Sequence, residues 1–375
     1  MSVSRSVSSR LPDFPWDHLT PYGDRARALP DGIVDLSVGT PVDPTPAVVQ
    51  RALVAAADSP GYPVTIGLPE TRQACIDWLA RSFGVTGLGL DAVLPVIGSK
   101  ELIASVAQHL GVGEGDLVVY PELAYPTYEV GAALVGAETL ATDSLTAIGP
   151  RTPKIVWINS PSNPTGRVLP PEHLKKVVDW CRERGALLIS DECYLELTWE
   201  GGSAMSVLHP DICGGSAAGI LAVHSLSKRS NLAGYRCAFV AGDPTVIGEL
   251  LAVRKNLGLQ MPEPQQHAMI AALNDDEHVA EQHARYAARR LKLKTALEGA
   301  GFTIDHSEGA LYLWARRSTE AGPEDCWDTV SWFADRGILV APGSFYGAAG
   351  KQHVRVALTA TDERIDAAVA RLSEG

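Results

Sequence analysis

The chain contains no uncharged apolar stretch long enough to span a bilayer. Met1 to Trp16 carries two arginines but lacks the apolar core of a secretory leader. Both absences predict a cytoplasmic protein with no membrane partner. The six cysteines in 375 residues are scattered at positions 75, 181, 193, 213, 237 and 326, with no C-x-x-C pair and no accompanying histidine pattern. That spacing argues against zinc and against a disulfide framework. Positive charge is also lacking. The formal net charge is -12, and binding nucleic acid or an anionic surface requires a basic face that releases counterions. The basic cluster Arg285 to Lys294 lies in a helical pattern beginning near Glu277, with Ala288 and Leu291 as apolar positions, and is expected to be a solvated helix face. Gly347-Ala-Ala-Gly350-Lys351 lacks the first glycine of a phosphate loop and continues into Gln352, which argues against a nucleotide site. Neither a repeat nor a low-complexity segment is evident.

The chain does have enough apolar material for a large core and a smaller second one: 46% of its residues are hydrophobic. Three short apolar, β-branched runs read as buried strands: Lys154 to Asn159, Ala186 to Ser190 and Ile220 to His224. Between the first two, Pro171 to Arg184 has helical spacing and is closed by Gly185. This strand-helix-strand alternation predicts an α/β protein with a mostly parallel sheet flanked by helices, followed by a smaller α+β domain. The expected division is a polar arm over residues 1–30, a large domain over 31–256, and a small domain over 257–375, the change being marked by the Pro-rich turn Met261-Pro-Glu-Pro264. A strand from Ile33 to Val38 is also expected.

Each predicted strand leads into a chemically distinctive turn. Asn163-Pro-Thr-Gly166 follows the first, Asp191-Glu-Cys-Tyr194 the second, and Ser225-Leu-Ser227-Lys228 the third, with Gly234-Tyr-Arg236 shortly after. Ligands of open parallel sheets gather beyond the carboxyl ends of the strands, so Asn163, Asp191 and Lys228 should meet in one crevice. Upstream, Gly98-Ser99-Lys100-Glu101 runs from a strand into a helical pattern ending near Leu110, which places backbone amides of Ser99 and Lys100 at a helix N-terminus.

The ordered set N-P-T-G, D-x-x-Y, S-x-S-K and G-x-R closely resembles the class I and II aminotransferases of the fold-type I enzymes dependent on pyridoxal 5'-phosphate (PLP). The resemblance runs from about Val34 to the C-terminus. It implies that Lys228 carries the cofactor on its amine and then shuttles a proton between Cα and the cofactor's C4' carbon. Asp191 would keep a proton on the pyridine nitrogen, and Tyr194 and Asn163 would hydrogen-bond the ring 3'-oxygen. Arg236, Ser225, Ser227 and the Ser99–Lys100 turn would hold the phosphate. By the same resemblance Tyr125 would stack on the pyridine ring, with Tyr128 as the competing candidate. Tyr62 would reach the partner's phosphate across a homodimer interface. Gly39 would let its backbone meet the substrate carboxylate, and Arg355 would clamp that carboxylate.

Within this family, Leu36 to Pro44, Leu11 to Trp16 and Arg254 to Pro262 look like actinobacterial N-succinyldiaminopimelate aminotransferases. The implied reaction moves an amino group between glutamate and 2-oxoglutarate on one side and N-succinyl-LL-2,6-diaminopimelate and its oxo counterpart on the other, as part of lysine biosynthesis. Lys255 and Asn256 are the candidates for the substrate's remote carboxylate, with Arg254 as an alternative. The same fold serves a broad-specificity amino acid aminotransferase, a C–S β-lyase, or a regulator built on an aminotransferase-like domain. No DNA-binding extension fits in the short N-terminal arm, and the product separates the enzymes: glutamate for a transaminase, ammonia with pyruvate for a lyase.

Overall fold

A computed structural model describes residues 7–373 apart from 13, 201, 203 and 321. Its centre is a sheet of seven strands, largely buried except along the edge strand Glu138–Ala141. Strand β1, Val34–Asp35, lies outside this sheet. The seven are β2 (Val93–Val96), β3 (Leu117–Tyr120), β4 (Glu138–Ala141), β5 (Ile155–Asn159), β6 (Leu187–Asp191), β7 (Ile220–Ser225) and β8 (Ala238–Gly242). Their order is β2-β8-β7-β6-β5-β3-β4, parallel throughout except for β8, which runs antiparallel to both of its neighbours. In β2, β3, β5, β7 and β8 every residue is buried, as a sheet covered by helices on both faces requires. One core on each face supplies that cover. The first holds Trp78, Leu174, Val178, Ala222 and Phe239, and the second holds Leu102, Val106, Tyr128, Trp157 and Val223.

The expected helix is present as Pro171–Arg184, followed by Gly185, and the strand runs 154–159, 186–190 and 220–224 became β5, β6 and β7 with ends shifted by a residue or so. The register aligns Asn159 with Asp191 and Asp191 with Val223, so the three turns after these strands open at the same level.

A second, antiparallel sheet is built around Tyr312–Thr319, which pairs with Phe302–Ile304 and with Val354–Ala357. It packs with the long helix Glu277–Gly299, the helix Cys326–Ala334 and the closing helix Asp362–Ser373.

The structure corrects four expectations. Residues 7–30 are not simply a polar arm; 1–6 and 13 lie outside the described residues. Pro15–Leu19 and Thr20–Arg27 are helical, and Leu19 and Trp16 pack into the second sheet's core. The expected strand 33–38 reduces to β1, which pairs in parallel with Ile338–Leu339, so residues near 34–36 belong with the small-domain core. The cores do not divide at 256. The Pro-rich turn opens the helix Glu263–Leu273, whose Ala268, Met269, Ala272 and Leu273 are buried against Val49, Cys75 and Leu79 of the large domain. Finally, the cluster 285–294 is not a uniformly solvated face. Ala288 is exposed and Leu291 is 64% exposed, whereas Arg289 and Arg290 are buried. Burial of these two cations is compensated by partners: Arg289 bonds Asp43 and Asp362, and Arg290 bonds Ser307 and Glu200. No described helix is long and apolar enough to cross a membrane.

Candidate active site

The turn after β7 is held by its own serine. Ser225 caps the short helix Leu226–Arg229, accepting from the Ser227 amide at 3.2 Å and donating to the Ser227 hydroxyl at 3.0 Å. This turn projects Lys228, whose amine donates to the Gly39 carbonyl oxygen. Burial pushes that amine below its ordinary range, and the nearby Arg355 and Arg236 cations push it further. An amine with a depressed pKa can act as a nucleophile and a base.

Asp191, at the end of β6, is buried and accepts from the Tyr128 hydroxyl at 2.8 Å and from the Cys193 amide at 3.2 Å. Burial raises its pKa, and these hydrogen bonds oppose the rise. Tyr128 is therefore engaged from behind: its ring stacks on Trp157 at 4.8 Å and its hydroxyl is committed to the carboxylate. Tyr125 is half-buried, edge-on to Tyr128 at 5.9 Å, and close enough to Asp191 and Tyr312 for their charges to act on its hydroxyl. Of the two rings, Tyr125 is the one still able to cover a ligand.

Asn159 organises the other side. Its amide donates to the Asp191 carbonyl at 2.9 Å, while its side-chain oxygen accepts from the Asn163 amide at 2.7 Å. Asn163 in turn accepts from Arg355 Nη1 at 2.8 Å, and Arg355 Nη2 donates to the Ser37 carbonyl at 2.7 Å. The Arg355 guanidinium lies 4.0 Å from the Tyr312 ring centre and 4.9 Å from that of Tyr346. Its Nε is buried without a partner, and each terminal nitrogen keeps a second N–H, so donors remain for an incoming carboxylate. The Tyr194 hydroxyl meets the Tyr312 hydroxyl at 2.9 Å. Burial opposes ionisation of Tyr312, but Arg355 and Lys228 outweigh it and pull its pKa down, whereas burial and Tyr312 push Tyr194 up.

The opposite end is shaped for an anion. Gly98 has φ 97°, a conformation open to glycine, and leads into the helix Ser99–His109, whose first turn has no side-chain cap. A side chain at Gly98 would collide with the Arg236 guanidinium, which lies across this turn. Arg236 itself has φ 59°, a backbone region that is unfavourable for a non-glycine residue, and is anchored to the Ala233 carbonyl at 2.8 Å.

The structure thus brings Lys228, Asp191, Tyr194, Asn163, Arg355, Gly39 and Tyr125 together, with Ser99, Ser225, Ser227 and Arg236 at one end. Lys100 is exposed at the start of its helix, and Tyr62 is 96% exposed. Lys255 and Asn256 are exposed near the C-terminus of the helix Pro244–Leu257, and the Asn256 amide bonds back to the Ala252 carbonyl. The alternative Arg254 is excluded as a substrate ligand because it is fully buried and bidentate to Glu101. Sequence reasoning missed Tyr312, Tyr346 and Ser37. Tyr312 reads as an ordinary strand residue; the close approach of Gly39, where a Cβ would strike its ring, is the only local sign of it.

Residues 31–372 match the family described as aminotransferase class I and II. The chain belongs to that family. It is 58% identical over 367 residues to a Mycobacterium tuberculosis protein named "probable aminotransferase", covering 98% of this chain and 86% of that one. It is 56% identical over 363 residues to the 4-dedimethylamino-4-oxo-anhydrotetracycline transaminase of Streptomyces rimosus, covering 97% and 99% of the two chains. Among solved structures, a "probable N-succinyldiaminopimelate aminotransferase" from Thermus thermophilus superimposes with a TM-score of 0.85 at 27% identity over 96% and 99% of the chains. This fold-type I aminotransferase uses pyridoxal 5'-phosphate. The residues fit that group: a buried amine of lowered pKa, a buried carboxylate, and a glycine-opened helix N-terminus crossed by an arginine.

Proposed function

We propose that the enzyme exchanges an amino group between glutamate/2-oxoglutarate and N-succinyl-LL-2,6-diaminopimelate/its oxo counterpart, as a cytoplasmic homodimer in lysine biosynthesis. The observation that carries the transaminase mechanism is a single backbone strip. The Ser37, Val38 and Gly39 carbonyls are held in turn by Arg355, Thr359 and Lys228, so the carboxylate clamp and the reactive amine end two residues apart.

Bound pyridoxal phosphate supplies a carbonyl that takes up the amino group and a ring that accepts the electrons left when the Cα proton departs. Arg355 binds the α-carboxylate and fixes which face of Cα is presented to Lys228. Lys228 would remove the Cα proton and return it at the cofactor's C4' carbon, a role suited to an amine whose pKa burial has lowered. Asp191, oriented by Tyr128, would hold a proton at the pyridine nitrogen. Tyr194 and Asn163 would donate to the ring 3'-oxygen, and Tyr125 would cover the ring face. Ser225, Ser227, Arg236 and the Ser99 and Lys100 amides would hold the phosphate, joined by Tyr62 from a second subunit. The exposed Lys255 meets the remote carboxylate of the succinylated substrate.

The test is steady-state kinetics with N-succinyl-LL-2,6-diaminopimelate and with glutamate as donors. Both should give the oxo product, and Lys255→Ala should raise KM for the succinylated donor alone; unchanged KM for both would remove Lys255 from the site. A second reading is favoured by the aromatic surroundings of the clamp, where Trp16 packs 5.2 Å from Phe345 and 6.4 Å from Tyr346. Such a mouth suits a bulky, less polar oxo substrate, in keeping with the relative from Streptomyces. Preference for an aromatic donor over the succinylated one in the same assay would decide for it.

A further inference from the structure

Arg254 is fully buried, in the last turn of the helix Pro244–Leu257, and both of its terminal nitrogens donate to Glu101 at 2.9 Å. Glu101 is the third residue of the helix Ser99–His109 and also accepts from Ser105 at 3.0 Å. A carboxylate in a helix's first turn stabilises the helix dipole on its own. In this helix it competes with the anion that the same N-terminus is to hold. Its field opposes a phosphate at Gly98–Lys100, next to Arg236, unless a cation cancels it. Arg254 supplies that cation at the carboxylate itself, in a bidentate pair with little solvent to screen it: the Glu101 side chain is 22% exposed and that of Arg254 0%. Nearby His109 is driven towards its neutral form by burial and by Arg254, so it leaves the carboxylate to the arginine.

We propose that Arg254 is a positioning residue for the cofactor phosphate: by neutralising Glu101 and tying its turn to the helix Pro244–Leu257, it keeps the phosphate-binding end of the helix positive and in place opposite Arg236. This rests on reading Gly98–Lys100 as the phosphate seat.

The test is an absorbance titration of the cofactor-free protein with pyridoxal phosphate and, separately, with pyridoxal, which lacks the phosphate. Arg254→Met should weaken pyridoxal phosphate on the order of tenfold, as expected for an unbalanced charge at a helix terminus, and leave pyridoxal within about twofold. Adding Glu101→Gln to Arg254→Met should recover most of the loss. Equal weakening of both ligands, or no change in either, would overturn the inference. If Arg254→Met does not fold, Glu101→Gln alone decides. It should bind pyridoxal phosphate at least as tightly as the parent, and selective weakening of the phosphorylated ligand would contradict the proposal. Failure of the parent protein to bind pyridoxal phosphate would instead remove the reading on which the inference rests.

Discussion

The two ends of the cleft are built differently. At the end proposed for the cofactor, Asp191, Ser225, Ser227, Lys228, Ser99 and Arg236 all stand at or just beyond the ends of neighbouring strands of one sheet, in register and backed by two cores. At the carboxylate end, Arg355 comes from the second sheet and reaches Asn163 in the large domain and the Ser37 carbonyl near β1. The first end is a property of one folded sheet and the second a property of two cores held together. Cofactor binding and substrate binding should therefore be separable by mutation.

The largest separation is expected at Lys228. Lys228→Ala should lower kcat by at least about 10³-fold, the middle of the range for a lost general base, while the phosphate seat still retains cofactor. Comparing single-turnover rates with the cofactor retained on gel filtration checks this. Next comes Arg355→Ala, which should raise KM for donor and oxo acceptor by about 10²-fold with little change in cofactor affinity. Arg355→Lys should recover little of that, because a point charge cannot reproduce the fork. Tyr312→Phe, between the two ends, should cost about tenfold in kcat/KM, the value of one hydrogen-bonding hydroxyl near charged groups. Because Arg355 and Lys228 pull the Tyr312 pKa down, loss of its hydroxyl should also move the alkaline limb of the pH–rate profile.

The smallest effect on catalysis is expected behind the cofactor end. Glu192 follows Asp191 but faces the other core, where its Oε2 lies 3.5 Å from His224 Nε2. Burial raises Glu192 from 4.5 to about 7 and lowers His224 from 6.5 to about 3. A raised acid contributes stability fully below its unfolded pKa, and that contribution is lost as pH rises through the folded value. Thermal midpoints of the parent should therefore fall relative to Glu192→Gln between pH 4.5 and about 7. His224 works in the opposite sense, with stability lost as pH falls from 6.5 towards about 3. Turnover by Glu192→Gln should remain within about threefold of the parent, since the pair touches neither end of the cleft. A large kcat loss with unchanged stability would contradict this separation.

The contrast also explains what the sequence revealed. The cofactor end was legible because each residue sits in a short contiguous turn directly after an apolar strand, so local pattern and the parallel-sheet rule suffice to bring them together. Arg355 was legible only through resemblance. The groups around it, Tyr312, Tyr346 and the Ser37 carbonyl, meet only when separate elements fold together, the Ser37 contact from the far end of the chain, and nothing in Gly-Ala-Leu-Tyr312 distinguishes a site tyrosine from a core one. The domain division failed for a related reason. Proline at Met261-Pro-Glu-Pro264 marks a helix start as readily as a linker, and only the burial of Ala268 and Met269 shows which it is. Arg289 and Arg290 were misjudged because periodicity counts apolar side chains and does not see Asp43 or Ser307 arriving as partners.

The most direct test is the visible spectrum of the cofactor-loaded parent and of Arg355→Ala during titration with glutamate and then 2-oxoglutarate. The parent should convert to the aminated cofactor and back, and Arg355→Ala should show the same starting band but require about 10²-fold more glutamate. Release of ammonia without recovery of the starting band, or loss of the cofactor band in Arg355→Ala, would contradict the account.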